Sequence, residues 1–287
     1  FLVVFGIQEG NSYDWSLRIW LIIGAGVLVL AAFAVNQARN TGEPLLPLSL
    51  FKDRNFALSN TAIAAMGATV TAFMVPSYFY LQAVREMSPT KSALVFAPMA
   101  IVTLFFAPFI GRFSDRLHPR ILPSIGFALF AVSVFWFSVL MTPDSSILWF
   151  LVSAALAGFA NSCIWGPLAT TATHNLPIQQ AGAGAGVYNT TRQIGSVLGS
   201  AAISALIAAR MSANGLGGGK VAEGGAGQGP IPEFVKDAFS TALGQSTLLP
   251  AGILLIGVLA SVLFVRHGRS AGAAPKDKLT KTESLVG

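Results

Sequence analysis

Long apolar stretches without a charged side chain recur along the chain, and short polar segments separate them. An α-helix needs about 17 to 25 apolar residues to cross the roughly 30 Å hydrocarbon core of a bilayer. A soluble core explains one such stretch, but not a succession of them joined by short polar turns. The pattern therefore predicts an all-α fold, a polytopic membrane helix bundle. Asp, Glu, Lys and Arg are all absent from residues 55–84, 92–111, 121–143, 145–191, 193–209 and 238–265.

The apolar runs also give the order of the predicted membrane-spanning helices. The run over residues 145–191 is long enough for two crossings with a turn between them. Residues 1–7 are apolar but too short to cross, so we expect them to be the end of a further helix whose beginning is missing. The complete spans are predicted at residues 17–35, 57–82, 92–110, 121–141, 147–170, 182–209 and 246–265.

Composition and charge agree with a membrane location. Charged residues make up 10% of the chain, against about 25% in soluble domains. Cytoplasmic loops of membrane proteins hold the excess of Lys and Arg, so the more basic set of loops is assigned to the inside and the C-terminus is predicted to be cytoplasmic. The basic pI of 9.8 then follows from topology, and no nucleic-acid partner is expected. The inside set is Arg39, Lys52, Arg54, Arg112, Arg116, Arg120, Arg266, Arg269, Lys276, Lys278 and Lys281.

These assignments divide the chain into four parts. A flexible external loop is expected at about 211–245, where glycine is abundant, with a short surface helix over 230–241. The predicted parts are 1–36, the end of one truncated span and one complete linker span; 37–56, a cytoplasmic connector with an interfacial segment; 57–266, a six-helix transmembrane bundle; and 267–287, a basic cytoplasmic tail.

Polar residues inside the predicted spans are the candidates for a substrate cavity. On the span 57–82, a small-and-polar stripe falls on one helix face. Such a stripe lines a cavity or packs against a neighbouring helix, and the sequence leaves both alternatives open. Asn161 and Trp165, one turn apart, have the same two alternatives. The stripe consists of Asn60, Gly67, Thr71, Tyr78 and Gln82.

Arg192 is the most informative of these candidates, because it lies about 15 Å into its predicted span, near the bilayer midplane. An arginine there costs about 2.5 to 3.5 kcal/mol and should face the bundle interior or water. Asn189 and Gln193 share its face, whereas Gly195 and Gly199 form a GxxxG pattern suited to helix packing. The alternative is a structural brace that bonds carbonyl groups or reaches the inner surface.

Enzymatic chemistry is not expected. His118, His174 and His267 are scattered and form no metal-ligand cluster, and Cys163 is the single cysteine. The glycine-rich run at 182–186 has no preceding strand, as a dinucleotide loop would require. We therefore predict no cofactor and no metal.

The charged island at residues 111–120, GRFSDRLHPR, is on position alone an ordinary positive-inside turn between two spans. Its spacing, however, resembles the signature loop of the major facilitator superfamily, in the copy that joins the second and third helices of the C-terminal bundle. It departs from that loop where a glycine is usual, because His118 and Pro119 stand there. The matching residues, which the resemblance assigns to a cytoplasmic gate, are Gly111, Arg112, Asp115, Arg116 and Arg120.

Two further stretches are similar to the fourteen-span drug:proton antiporters of the EmrB/QacA type. Residues 43–56 resemble the segment that enters the C-terminal bundle, and residues 182–201 resemble the next-to-last helix. The resemblance implies the C-terminal six-helix bundle of a transporter, preceded by a linker helix, with the N-terminal half missing. It implies a multi-pass protein of the plasma (inner) membrane.

By the same resemblance the function is proton-coupled efflux of amphipathic drugs or similar small molecules by alternating access. Export of an endogenous metabolite or lipid is an alternative, and a non-transporting membrane scaffold or sensor is an alternative of another class. No predicted complete span contains Asp or Glu. The carboxylate that exchanges the proton is therefore expected in the missing half.

Overall fold

The computed structural model describes residues 2–10, 13, 16–39, 48–114, 116–216 and 233–265. This part of the chain is helical and contains no strand. Its α-helices are α1 (Leu2–Glu9), α2 (Leu17–Arg39), α3 (Arg54–Phe79), α4 (Pro89–Val95), α5 (Ala97–Ser114), α6 (Ile121–Leu140), α7 (Ile147–Thr173), α8 (Ile178–Ala213) and α9 (Glu233–Val262). A 3-10 turn at Leu48–Lys52 precedes α3, and a π-helical turn at Tyr80–Val84 follows it.

Among the described residues, six helices are long and apolar enough to cross a membrane: Arg54–Val84, Pro89–Ser114, Ile121–Leu140, Ile147–Thr173, Gln179–Ala213 and Glu233–Val262. They confirm the all-α fold class and coincide with the predicted spans from residue 57 onwards, although most of them are longer. The predicted linker span at 17–35 lies on α2, whose shorter segment Leu17–Ala32 is apolar.

The structure adds a break within one predicted span and corrects the predicted external loop. The span predicted at 92–110 is interrupted at Phe96, which ends α4 before α5 begins. Pro98 explains the break, because it has no backbone N–H for a helix that continues from α4. The correction concerns α9, which begins at Glu233 and runs unbroken past residue 245. The predicted external loop therefore does not extend over 233–245, and no separate surface helix ends at 241.

Side chains fix where the bundle helices begin. Asp53 Oδ1 accepts a hydrogen bond from the Phe56 backbone N–H at 2.7 Å, which caps α3. Ser88 caps α4 by accepting from the Lys91 N–H, and Pro89 follows it in the first turn, where a missing N–H costs nothing.

α3 is the centre of the bundle and packs against α7, α8 and α9. Its approach to α8 is close because glycines face backbone on both helices. A Cβ at Gly195 would collide with the Ala64 carbonyl oxygen, and one at Gly199 with that of Ala68. On the α3 side of the same contact, a Cβ at Gly67 would collide with the Arg192 carbonyl oxygen of α8. The Gly195 and Gly199 pair thus lies where two backbones meet, the role that small residues have in membrane helix packing.

An aromatic cluster fills the core between α3, α6 and α7. The Phe137 ring lies at its centre, with centroid distances of 5.1 Å to Phe73 and 4.8 Å to Phe150. Both contacts are edge-to-face, the arrangement that aromatic quadrupoles prefer. Hydroxyl groups link the same helices, since the Ser133 and Ser153 side chains each donate to the other's carbonyl oxygen.

At each end of the bundle, hydrogen bonds join residues that are far apart in the sequence. At one end, Asn55 Nδ2 donates to the Val265 carbonyl oxygen at 3.0 Å, and Val265 N–H donates to Asn55 Oδ1 at 2.9 Å. At the opposite end, the Arg85 guanidinium donates to the carbonyl oxygens of Pro143 and Ser145 at 2.6 and 2.7 Å. We call these the Asn55 end and the Arg85 end.

Part of the predicted domain division lies outside the described residues. This applies to residues 40–47 of the connector, to 217–232 of the loop, to residue 266 at the end of the bundle and to the tail at 267–287. Within the connector, Leu50 is buried and the Phe51 ring meets the Phe56 ring edge-on at 5.3 Å. The interfacial position of this segment remains a prediction.

Candidate functional site

A groove between α7 and α8 brings a charged, an aromatic and several polar side chains together. Its volume is about 520 Å³. It lies between the middle of the two helices and the Asn55 end, because its α7 residues belong to the last turns of that helix and its α8 residues to the first half. The lining residues are Trp165, Ala169, Thr170, Thr173, Ala185, Tyr188, Asn189 and Arg192.

The indole of Trp165 is held by its own helix. Trp165 Nε1 donates a hydrogen bond to Asn161 Oδ1 at 2.9 Å, one turn earlier on α7. The Asn161 amide in turn donates to the Ala157 carbonyl oxygen at 3.0 Å, which fixes its orientation. Asn161 is buried and does not line the groove, so it acts on the groove only through the ring that it orients.

Arg192 is placed by the close packing of α8 on α3. The midpoint of this 36-residue helix falls between Gly195 and Ser196, so Arg192 lies close to its middle. On one side its backbone carbonyl meets Gly67 of α3, and on the other its side chain enters the groove. The guanidinium carbon lies 5.9 Å from the centroid of the Trp165 ring, within the range of a cation–π contact.

No carboxylate neutralises Arg192 within the described part of the chain. The salt bridges found there join Lys236 to Glu86 and Glu233, at the Arg85 end. No described hydrogen bond uses the guanidinium donors of Arg192 either; its backbone carbonyl accepts from Ser196 Oγ at 3.2 Å. The groove therefore presents a net positive charge.

Tyr188 is a groove residue that the sequence analysis did not select. It lies one turn before Arg192 on α8, its side chain is 8% exposed, and its hydroxyl has no hydrogen-bond partner in the structure. A buried hydroxyl without a partner is energetically costly, because it has lost its water without a replacement. The signal in the sequence was its position four residues from Arg192, which puts both on one helix face.

The predicted cavity residues divide into two groups. Trp165, Asn189 and Arg192 come together in the groove, with Asn161 behind the indole. Gln193 is exposed and does not line the groove, and neither does any residue of the α3 stripe.

The contacts of the α3 stripe favour packing at three of its positions, of which Gly67 meets the Arg192 carbonyl oxygen. Thr71 Oγ1 donates to the Ser196 carbonyl oxygen across the α3–α8 contact at 2.9 Å. Asn60 is 3% exposed and its amide donates to the Phe56 carbonyl oxygen of its own helix at 2.8 Å. Tyr78 and Gln82 are half-buried, and the Tyr78 ring lies 5.3 Å from that of Phe96. A cavity-lining role for the stripe stays a prediction.

The predicted gate motif lies between α5 and α6. Gly111 and Arg112 belong to the last turn of α5, and the exposed side chains of Arg116 and Arg120 follow it. Asp115 lies outside the described residues. The chain reverses here without a glycine, through hydrogen bonds from Arg116 N–H to the Phe113 carbonyl and from Ile121 N–H to the His118 carbonyl.

The family model described as Major Facilitator Superfamily matches residues 2–200. The chain belongs to this superfamily. Its members are transporters and not enzymes, which confirms the corresponding expectation. The superfamily membership also agrees with the signature-loop resemblance at residues 111–120.

Named relatives of this superfamily chain are transporters and exporters. An uncharacterized MFS-type transporter of Mycobacterium tuberculosis is 42% identical over 288 residues, which cover 99% of this chain and 49% of that protein. The cephamycin export protein of Amycolatopsis lactamdurans is 32% identical over 70% of this chain and 42% of its own length. The multidrug export protein EmrB of Escherichia coli is 28% identical, with coverages of 67% and 38%. The chain thus spans about half, or less, of the relatives it matches.

Proposed function

We propose that this chain is the C-terminal six-helix bundle, with its linker helix, of a secondary active transporter that exports amphipathic small molecules. The observation that supports this most directly is the groove at Trp165 and Arg192, a polar site in the middle of apolar helices. A helix bundle selected only for packing has no use for an arginine there, since its cost must be offset. The names of the multidrug relatives agree with this class of substrate.

Two of the six spans are much less buried than the others, which supports the presence of a second, N-terminal bundle beside them. In the most apolar segments of Pro89–Ser114 and Gln179–Ala213, 17% and 28% of the residues are buried, against 50 to 61% in the other four spans. Both helices contact α7, and the second of them also lines the groove. In our proposal the other half of the transporter covers this side, and the two halves rock about the groove to alternate access.

We assign the Asn55 end to the cytoplasm of a plasma (inner) membrane, with the C-terminus inside. The distribution of Lys and Arg supports this orientation, since Arg54, Arg112 and Arg116 lie at that end. The groove then lies in the cytoplasmic half of the membrane, the side from which an exporter takes its substrate. The gate motif around Asp115 would close that side between transport steps.

Protons are proposed as the coupling ion, with the titrating carboxylate in the N-terminal half. The described acids lie near helix ends, and Glu233 and Asp237 begin α9 at the Arg85 end, away from the groove. Arg192 cannot exchange the proton because a guanidinium stays charged at any physiological pH. It would act as a fixed charge opposite the carboxylate or the substrate.

Everted membrane vesicles that contain the complete protein test this proposal. With an acid interior, we expect uptake of an amphipathic cation, ethidium, or an amphipathic anion, 1-naphthylacetate, and loss of uptake when nigericin collapses the gradient. The chain of residues 1–287 expressed alone should give no such uptake. Uptake of both compounds equal to that of empty vesicles would contradict the export function, and uptake by the chain alone would contradict the division of roles between two halves.

One relative favours a variant of this proposal, the export of an endogenous metabolite. The 32% identical protein is named as an export protein for cephamycin. Deletion of the gene should then raise the intracellular level of a small acidic or amphipathic metabolite, which untargeted mass spectrometry of cells and medium would reveal. An unchanged profile would favour drugs as substrates.

A further inference from the structure

The guanidinium of Arg192 has an aromatic neighbour but no acceptor. Trp165 offers its π-face at 5.9 Å, which attracts the positive charge without accepting N–H bonds as a carboxylate does. A guanidinium has five N–H donors in a planar fork that matches the two oxygens of a carboxylate. None of these donors makes a hydrogen bond in the described part of the chain, so the guanidinium can donate to a hydrogen-bond acceptor on a bound molecule.

Neighbouring groups supply further donors at the same place. The Tyr188 hydroxyl is buried, lies one helical turn from Arg192 and has no partner. Asn189, between them in sequence, also lines the groove; one N–H of its amide donates to the Ala185 carbonyl oxygen at 3.0 Å, and the other remains for a ligand. A hydroxyl and an amide can both donate to an anion, and a hydrogen bond would remove the cost of the unpartnered hydroxyl.

The remainder of the lining is suited to an apolar body. Trp165, Ala169 and Ala185 give it an aromatic wall and two small side chains, and the volume of about 520 Å³ is typical of small-molecule sites. No Asp or Glu lines the groove. A cationic compound would therefore meet a fixed positive charge and no counter-charge from the described residues.

We propose that this groove is a binding site for amphipathic organic carboxylates, with the carboxylate on Arg192 and an aromatic or apolar body against Trp165. The inference rests on the proposed export function and names its substrate class. The Tyr188 ring forms part of the wall, and its enclosed hydroxyl becomes a second donor when the ring turns it towards the groove. Asn161 has a positioning role, because it orients the indole and does not line the groove.

A matched pair of probes tests the charge requirement. The complete protein, purified in lipid nanodiscs, is titrated with 1-naphthylacetate and with its uncharged amide, 1-naphthylacetamide, which share the ring system. We expect the carboxylate to bind at least about 10-fold more tightly, since hydrogen bonds to charged groups contribute about 1.5 to 3 kcal/mol. Equal binding of the two probes, or binding of neither, would overturn the proposal.

Variants separate recognition from a bracing role of the arginine. Arg192→Gln should weaken carboxylate binding about 10- to 100-fold and leave amide binding unchanged, and Arg192→Lys should retain part of the preference. Tyr188→Phe keeps the ring in place and should cost the carboxylate a few-fold. Arg210→Gln, at the far end of α8, is the matched control and should change neither probe. A loss of both probes in Arg192→Gln and Arg192→Lys alike would show that the arginine only braces the helices.

The two proposals fail in different ways. If the complete protein takes up ethidium under a pH gradient but binds the carboxylate and the amide equally, export stands and the carboxylate site is refuted. If the carboxylate preference depends on Arg192 but no compound is transported, the site stands and export is refuted.

Discussion

Asn161 Oδ1 accepts a hydrogen bond from the indole N–H of Trp165, one turn later on α7, at 2.9 Å. Asn161 is 5% exposed, whereas the Trp165 ring lines the groove and lies beside the Arg192 guanidinium. A buried amide thus fixes the orientation of the aromatic wall from behind. The pair links the packed interior of the bundle to the surface on which we place the substrate.

This relationship predicts a coupled effect of two substitutions. Asn161→Ala should weaken carboxylate binding by a few-fold, because the loss of a hydrogen bond of about 1 kcal/mol releases the ring. Trp165→Phe already lacks the indole N–H, so adding Asn161→Ala to it should cause little further loss. A double-mutant cycle on binding measures this coupling. Additive losses would show that Asn161 does not act through Trp165.

A second prediction concerns the α3–α8 contact that places Arg192. Gly195→Ala puts a Cβ against the Ala64 carbonyl oxygen and must push the helices apart. We expect a loss of about 1 to 3 kcal/mol in the free energy of unfolding, seen as a lower melting temperature in detergent. Gly186→Ala on the same helix is the matched control, since nothing lies within 4 Å of its added Cβ. Equal melting temperatures of the two variants would contradict the close packing.

The spans could be predicted because a bilayer imposes one requirement on every helix, a long apolar run. The helix ends could not, since the last turns outside the hydrocarbon are polar. α9 illustrates this, because the charged residues Glu233, Lys236 and Asp237 begin it, and the sequence placed them on a short surface helix separate from the membrane span. Helix faces could be predicted from a rotation of 100° per residue, which grouped Asn189 with Arg192.

Sequence periodicity could not tell which neighbour a face meets. Thr71 belongs to a polar stripe in the sequence, but in the fold its hydroxyl meets the Ser196 carbonyl. Tyr188 is the opposite case: the sequence analysis did not select it, because a tyrosine in an apolar helix is usually part of the core. Only the fold shows that its hydroxyl is buried without a partner beside Arg192.

The Asn55 end provides a third prediction. Asn55→Ala removes both hydrogen bonds that join the start of α3 to Val265 after α9, and leaves those two backbone groups without partners. We expect a loss of about 1 to 3 kcal/mol in the free energy of unfolding. Asn175→Ala removes one exposed bond, from its amide to Asp53 Oδ2, and should change the melting temperature much less. A larger drop in melting temperature for Asn175→Ala than for Asn55→Ala would contradict a stabilising role of the Asn55–Val265 hydrogen bonds.

Thiol labelling tests which positions of the bundle are accessible to water. In a Cys163→Ala background, cysteines at Thr170 and Thr173 should react with a small polar thiol reagent, because both positions line the groove. Cysteines at Asn60 and Thr71 should resist it, because Asn60 is buried inside the bundle and Thr71 lies against the backbone of α8. Labelling at Thr71 as fast as at Thr170 would assign the α3 stripe to the cavity instead.

The gate motif predicts an effect on transport without an effect on insertion. Asp115→Asn removes the acid that could pair with Arg112 or Arg116 and should shift the balance between inward- and outward-facing states. The variant should reach the membrane at wild-type levels and transport less. Asp144→Asn, an acid in the loop between α6 and α7, is the control and should transport normally. Wild-type transport by Asp115→Asn would refute the gate.

The central claim is that substrates of the complete transporter pass through the groove between α7 and α8. The most direct measurement is pH-gradient-driven uptake of 1-naphthylacetate by the Thr170→Cys protein, in the Cys163→Ala background, before and after treatment with the bulky, membrane-permeant reagent N-benzylmaleimide. Ser212→Cys, exposed at the far end of α8, is treated in parallel. We predict that the reagent abolishes uptake by Thr170→Cys and that added 1-naphthylacetate slows its reaction, while Ser212→Cys is unaffected. Full uptake by a completely modified Thr170→Cys protein would contradict the account.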